Sequence, residues 1–132
     1  MSITIEWDNP ERTILRYDIR DTWRWQDARD AIDTIFTMMD NAEADVICTI
    51  PHFVGKVNLP PDGLKHFAEL TERSHPKAGL TVIVGANFMM RSVISTVRGM
   101  YTMTGRSVDF DYADTLDDAR RKIERFMMQA AR

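Results

Sequence analysis

Cysteine, glycine and proline are scarce in this chain, and no long apolar run is present. The sequence has one cysteine, Cys48, with six glycines and five prolines. A single cysteine excludes an internal disulfide and favours a reducing compartment, so we expect a cytoplasmic protein. No stretch approaches the roughly 20 apolar residues that cross a bilayer. Residues 1–6 also lack the basic and apolar regions of a signal peptide, so we expect no membrane segment.

A basic surface is also lacking, because the formal net charge is −3. Nucleic-acid-binding domains usually show an excess of Lys and Arg, so we expect no nucleic-acid partner. No internal repeat, linker or low-complexity tract divides the 132 residues. This is a common length for one domain and long enough to bury a sizeable core. We therefore expect a single domain over residues 1–132.

Motifs for catalysis, phosphate binding and metal binding are missing as well. Gly55-Lys56 lacks the upstream glycine and the following Ser or Thr of a phosphate loop, and no Gly-x-Gly-x-x-Gly occurs. The histidines His52, His66 and His75 are scattered, and a metal site would need partners that the sequence does not show. His52 is notable because it follows a strand whose end should lie near the binding edge of a sheet. We expect no enzymatic activity, cofactor or metal.

What the sequence does contain is clear hydrophobic periodicity. Alternation, or short runs of β-branched residues, indicates strands. The break at Asn9-Pro10 predicts that the first two strands form a hairpin. Pro51 should end the third strand, and the fifth strand should lie at an edge of the sheet. The predicted strands are Ile3–Trp7, Ile14–Ile19, Val46–Ile50, Leu80–Val84 and Val108–Tyr112.

Four segments have apolar residues at helical spacing instead. The first helix should begin between Thr22 and Trp25, and Pro61 suits the first turn of the second. Asn87 and Thr115 should cap the third and fourth helices. The element order is ββαβαβαβα, which predicts an α/β fold with a five-stranded, mostly parallel mixed sheet covered by helices.

Short motifs make the chain similar to a known family. Residues 59–64, Leu-Pro-Pro-Asp-Gly-Leu, lie where STAS domains place an Asp-Ser-Ser-Gly-Leu motif. Residues 103–105 look like the Met-Ser-Gly that often follows the third helix, and residues 113–119 look like the entry to the last helix. The chain resembles the STAS domain of sulfate transporters and anti-sigma-factor antagonists. It is most similar to the uncharacterised, SpoIIAA-like bacterial branch, which is also compared with the lipid-binding CRAL-TRIO (Sec14-type) fold.

The resemblance implies a regulatory or interaction module, with one departure. Anti-sigma-factor antagonists are phosphorylated on the first serine of the motif, where this chain has Pro61. Pro61 has no hydroxyl, so we expect no phosphorylation there. Asp62, at the second serine, is either a permanent charge at the helix start or only a helix-start residue, and we favour the second interpretation. The comparison with CRAL-TRIO proteins implies an alternative function, a carrier or sensor of a small apolar or lipid-like ligand.

Two further features suggest contact with a ligand or partner. Asn87 begins a helix at the end of a strand, and Arg91 follows one turn on. Together they suit an anion site at the helix N-terminus. Alternatively Asn87 is an ordinary helix cap, and we favour this second interpretation. Adjacent methionines recur along the chain, and a helix buries only one member of such a pair comfortably. Met89 and Met100 lie outside the centre of the third helix's apolar stripe. They suit a homodimer or protein contact, an apolar ligand, or loose core filling.

The candidate function is thus a non-enzymatic interaction module that forms a homodimer or binds a protein partner. The candidate partner or ligand site consists of Pro61, Asp62, Asn87, Met89, Arg91 and Met100.

Overall fold

The computed structural model describes residues 2–20, 22–103 and 110–130, with no account of the side chains of residues 101–103. The elements in chain order are β1 (Ile3–Trp7), β2 (Ile14–Ile19), α1 (Trp25–Asp40), β3 (Ile47–Phe53), α2 (Gly63–Glu72), β4 (Ala78–Val84), α3 (Phe88–Met103), β5 (Phe110–Ala113) and α4 (Leu116–Ala130). This order confirms the predicted ββαβαβαβα fold.

The strands lie in the sheet in the same order as in the sequence, β1-β2-β3-β4-β5. β1 is antiparallel to β2, and all later neighbours are parallel. Right-handed crossovers that all step in one direction put their helices on the same face of the sheet. Accordingly α1, α2 and α3 share one apolar core, whereas α4, which follows the last strand, packs on the opposite face.

The core on the face of α1, α2 and α3 includes two tryptophans, Trp23 and Trp25, together with Met90 from α3. The core under α4 is smaller and contains Cys48, Val82 and Ile123. Cys48 is buried, as predicted from its apolar strand, and burial raises the pKa of its thiol to about 11. The two cores require β3 and β4 to be apolar on both faces, which explains their continuous β-branched sequences.

Several predicted boundaries were wrong. Pro51 does not end the third strand, because β3 continues to Phe53, and Pro51 pairs in register with Tyr17. Pro61 precedes the second helix, which begins at Gly63. Leu64, placed on the buried stripe of that helix, is exposed, since α2 packs through Phe67 and Leu70 instead.

Other predictions concern capping and edges. Thr115 Oγ accepts a hydrogen bond from the Asp118 N–H at 3.1 Å, which confirms it as the cap of α4. β5 lies at an edge of the sheet, as predicted. Val108, the first residue of the predicted fifth strand, falls outside the described residues.

Candidate binding groove

The carboxyl ends of β2 and β3 lie side by side at one edge of the sheet, because these strands are parallel neighbours. The residues that lead into α1 and those that lead into α2 both leave from this edge. Open parallel sheets bind ligands outside the carboxyl ends of their strands. The described sheet lacks the reversal of strand order at which such binding crevices form, so only the two connections themselves can enclose a ligand here.

A groove of about 640 Å³ lies there. Residues 22–25 form one side, and Lys56 with residues 58–61 forms the other. Small-molecule sites typically measure roughly 300–1,000 Å³, so the groove has the size of such a site. The predicted candidate Pro61 is part of its wall, next to Leu59 and Pro60.

Trp25 holds the two sides together. Its indole Nε1–H donates a hydrogen bond to the Pro61 carbonyl oxygen at 2.7 Å. Its ring stacks on His66 of α2 at a centroid distance of 5.0 Å and meets the Phe67 ring edge-on at 5.2 Å. Pro61 is thus fixed against the start of α1, although the two residues are 36 positions apart in sequence.

Trp23 lies beside Trp25, and the two rings meet edge-to-face at 4.9 Å. Trp23 is only 4% exposed, and its indole Nε1–H has no hydrogen-bond partner among the described residues. Buried polar groups in proteins are nearly always hydrogen-bonded. The Trp23 Nε1 atom has almost no solvent-accessible surface, so this donor is unpaired within the described core rather than open to the groove.

The start of α2 has an unusual backbone that shapes the groove wall. Asp62 occupies the N-cap position of α2 with a left-handed φ of 62°, so it lies at the helix start, and the choice between a permanent charge and a helix-start residue alone stays a prediction. Its exposed side chain makes no capping hydrogen bond. The next residue is Gly63, where a Cβ would lie 2.6 Å from Leu59 Cδ2. Glycine at this position allows Leu59 to pack over the helix start and form the wall.

Asn87 connects the groove loop to α3. Its Oδ1 accepts a hydrogen bond from the Met90 N–H at 2.9 Å, which confirms the predicted cap. Its Nδ2 donates to the carbonyl oxygen of Val57, a buried residue of the groove loop, at 3.4 Å. The ordinary helix cap, which we favoured for Asn87, therefore agrees with the geometry.

Arg91 is engaged elsewhere. Its Nε donates to the Ala86 carbonyl oxygen at 3.2 Å, its guanidinium lies over the Tyr112 ring at 4.7 Å, and it is 3.6 Å from Asp114. A small open cleft of about 250 Å³ lies beside it, lined also by Arg121. Because Arg91 already contacts a carboxylate and a ring, the structure does not place it in the groove with Pro61.

The two candidate methionines are exposed on α3, as expected from their positions outside the centre of its apolar stripe. Met89 is 66% and Met100 50% exposed, whereas Met90 is buried. Phe88 was not singled out from the sequence, yet it is 87% exposed. The separation of 11 positions between Met89 and Met100 is close to three turns, or about 16 Å, so both lie on the same side of the helix.

An ion network lies on the face of the sheet that α4 only partly covers, and it was not predicted from the sequence. The Arg16 guanidinium contacts Glu6, lies 2.5 Å from an Asp8 oxygen and binds Asp18 at 3.2 Å. His52, which lies within β3 rather than after it, is 2.8 Å from Asp18 through its Nδ1. These groups pair with one another across β1, β2 and β3, so the network joins neighbouring strands.

Within the described ranges, no three His, Cys, Asp or Glu side chains are grouped as metal ligands. None of the helices in those ranges is long and apolar enough to cross a bilayer. Comparison with models of known families, with curated proteins and with solved structures gave no match. The resemblance to STAS and SpoIIAA-like domains therefore stays a prediction from the short motifs.

Proposed function

We propose that this chain is a non-enzymatic interaction module, and that it binds a second copy of itself through the exposed side of α3. The observation that carries the proposal is the exposure of Phe88, Met89 and Met100 on this helix. Large apolar side chains in water gain nothing for folding, and burying one recovers roughly 1.5–3 kcal/mol before ordering costs. Aromatic residues and methionine are also enriched at protein interfaces.

Gly99 supports contact between two copies of α3. A Cβ built at this position meets no atom of the described residues within 4 Å, so the packing of those residues does not require a glycine. Glycine inside a helix costs about 0.8–1.0 kcal/mol relative to alanine. In an antiparallel pair of α3 helices centred between Ser92 and Thr96, Met89 of one copy opposes Gly99 of the other. The Met89 side chain of each copy then fills the space left by Gly99 of the other copy. This arrangement is self-complementary, as a two-fold interface requires.

The test is the double substitution Met89→Gln and Met100→Gln, followed by sedimentation velocity over a range of concentrations and by thermal unfolding. We expect a dimer for the unaltered chain and a folded monomer for the variant. Met128→Gln is the matched control, because Met128 is exposed on α4 and lies outside the proposed interface. A wild-type monomer at high concentration, or a variant that unfolds, contradicts the proposal.

A carrier or sensor of an apolar ligand is the second candidate. An enclosed apolar cavity would support it, because such sites bury most of a ligand's surface. The groove beside Trp23 and Trp25 is open and includes polar and charged residues, among them Arg24 and Lys56. A fully apolar or lipid-like ligand is therefore less well matched than a contact between proteins.

A further inference from the structure

β1 and β5 form the two edges of the described sheet, so each leaves one row of backbone groups without a neighbouring strand. In β1 the Asp8 N–H donates to the Ile14 carbonyl oxygen, and the Ser2 carbonyl oxygen accepts from the Arg20 N–H, both at 2.8 Å. Every second residue of an antiparallel strand bonds to the same neighbour, so the residues between these point the other way. The residues of β1 whose N–H and C=O groups point outward are Ile3, Ile5 and Trp7.

At the opposite edge, side chains of the chain itself close β5. Asp111 Oδ1 accepts a hydrogen bond from the Tyr112 N–H at 2.7 Å, and Lys122 Nζ of α4 donates to the Tyr112 carbonyl oxygen at 2.5 Å. An unpaired edge strand attracts other strands, and proteins commonly prevent this with charged side chains or by covering the edge. Both backbone groups of Tyr112 are therefore occupied, and a further strand cannot bond to them without displacing Asp111 and Lys122.

The edge of β1 has no such protection. In the part of the chain that the structure describes, nothing is bonded to the outward N–H and C=O groups of β1. We propose that this edge binds an extended segment of a partner protein, which joins the sheet beside β1. Main-chain hydrogen bonds then supply the affinity, and alternate side chains supply the specificity. This surface is separate from α3, so the proposal goes beyond self-association and does not depend on it.

The side chains of β1 on the face of α1 favour an apolar residue at every second position of the added segment. Ile5 and Trp7 are only half-buried, although both pack on the core that Leu15 and Met39 form under α1. Side chains that are neighbours across two strands contact each other on the same face of the sheet. Apolar side chains of the segment would therefore cover the exposed parts of Ile5 and Trp7.

The positions between them meet negative charge. Glu6 lies on the opposite face of β1, and its side chain is 60% exposed. The ion network on this face contains more carboxylates than guanidiniums, namely Glu6, Asp8 and Asp18 against Arg16 and Arg120. Opposite charges on neighbouring strands stabilise a sheet, and like charges destabilise it. The partner segment should therefore carry a Lys or Arg beside Glu6.

A second copy of the chain fits this edge less well. Antiparallel pairing of two β1 strands about Ile5 places Glu6 of one copy opposite Thr4 of the other, so the carboxylate gains no cation. A second two-fold contact in addition to α3 would also join dimers into open chains. The occupant is therefore a different protein, and a dimer through α3 would offer it two such edges.

The experiment is a titration of the ¹⁵N-labelled full chain with the basic peptide acetyl-Val-Lys-Val-Lys-Val-amide, followed by backbone amide shifts and hydrogen exchange. We expect saturable shifts and slower exchange of the amides of Ile3, Ile5 and Trp7. Thr4 and Glu6 should keep their exchange rates, because their N–H groups already bond to β2. Such alternation along β1 distinguishes the addition of a strand from adsorption to the surface.

Two further peptides and two substitutions separate the parts of the proposal. The basic peptide with a methyl group on every backbone nitrogen keeps the side chains but loses the donors, so it should not bind. The acidic peptide acetyl-Val-Glu-Val-Glu-Val-amide should bind more weakly than the basic one, by roughly two- to fivefold. Glu6→Gln should remove most of this preference. Glu124→Gln is the matched control, because Glu124 is exposed on α4, and thermal unfolding checks that both variants are folded.

Four outcomes overturn the proposal. No saturable change in the three outward amides of β1 at ~1 mM basic peptide would remove the site. Equal binding of the methylated peptide, or equal changes at the Tyr112 amide of β5, would exclude strand addition at β1. Equal binding of the basic and acidic peptides would remove the charge from the assignment. Exchange at the three amides that slows with chain concentration, without peptide, would mean that a second copy occupies the edge.

The proposal is tested independently of self-association through α3. The variant with Gln at positions 89 and 100 should bind the basic peptide as the unaltered chain does. Loss of dimerisation and loss of peptide binding are therefore distinguishable.

Discussion

Asp8 provides the most quantitative test of the ion network between the strands. Its side chain is only 2% exposed, and it lies in the connection between β1 and β2. One of its oxygens is 2.5 Å from Arg16, and Arg120 of α4 contacts both oxygens at 2.8 and 2.9 Å. Asp8→Asn keeps the shape of the side chain but removes its charge. The substitution therefore measures what this charge contributes to stability.

The expected loss of stability depends on which carboxylate contacts Arg16 and Arg120 keep in the variant. Arg16 retains contacts with Glu6 and Asp18, and Arg120 retains Asp117, so no guanidinium is left without a carboxylate. Asn keeps one oxygen, which accepts the two bonds made to its position. The main loss is then the single charge-assisted hydrogen bond to the other oxygen, worth about 1.5–3 kcal/mol. We expect Asp8→Asn to lower the free energy of unfolding by about 2–3 kcal/mol. Arg16→Met should cost about as much, because it removes the partner of the same buried oxygen.

The assay is urea denaturation at pH 7 of both single variants and of the double variant. We expect a coupling energy of about 1–3 kcal/mol between Asp8 and Arg16. The control is the pair Asp118 and Arg121, which is exposed on α4 and should couple far more weakly. If Asp8→Asn is within about 0.5 kcal/mol of the unaltered chain, or if the two couplings are equal, the network does not stabilise the fold.

Two further predictions concern Gly85 and Cys48. Gly85→Ala should lower the free energy of unfolding, measured in urea, by more than about 2 kcal/mol. The reason is that φ at Gly85 is +82° and a Cβ there would lie 2.5 Å from the Phe53 carbonyl oxygen. An unchanged free energy of unfolding would contradict this conformation of the turn. Burial raises the pKa of Cys48 from 9.0 to about 11, so the unfolded thiol ionises first and stability falls between pH 9 and 11. The loss approaches about 2–3 kcal/mol, and a Cys48→Ala variant with the same pH dependence would contradict it.

The sequence predicted the fold and the helix caps well because these depend on neighbouring residues. Asn87 and Thr115 bond to N–H groups three positions on, and such spacing can be read directly from the chain. One boundary failed for a tertiary reason. Pro51 lacks an N–H, yet its strand continues because residues on either side still bond to neighbours, as the Val54 N–H does to the Ile19 carbonyl at 2.9 Å. Support from an adjacent strand overrode the local signal.

The groove was only partly predictable. Pro61 was a candidate, but Trp23 lies in a connection without periodicity, and only the parallel pairing of β2 and β3 brings it near Lys56. The same applies to Asp18 and His52, which are 34 positions apart and directly opposite in register. The spacing of residues along the chain does not predict such contacts, because the contacts depend on which strands lie next to each other in the sheet.

The monotonic order of the strands has a consequence for how the chain folds. Ile14 pairs with Cys48 after 34 residues, Thr49 with Thr81 after 32, and Thr81 with Phe110 after 29. Loop-closure entropy grows with the logarithm of loop length, so these parallel pairings differ by only about 0.1–0.2 kcal/mol in closure cost. Chain connectivity thus favours none of them as the starting point. The pairing that forms first is then determined by apolar burial, which is greatest at β3 and β4. The sheet can therefore form from this central pair and add strands on both sides.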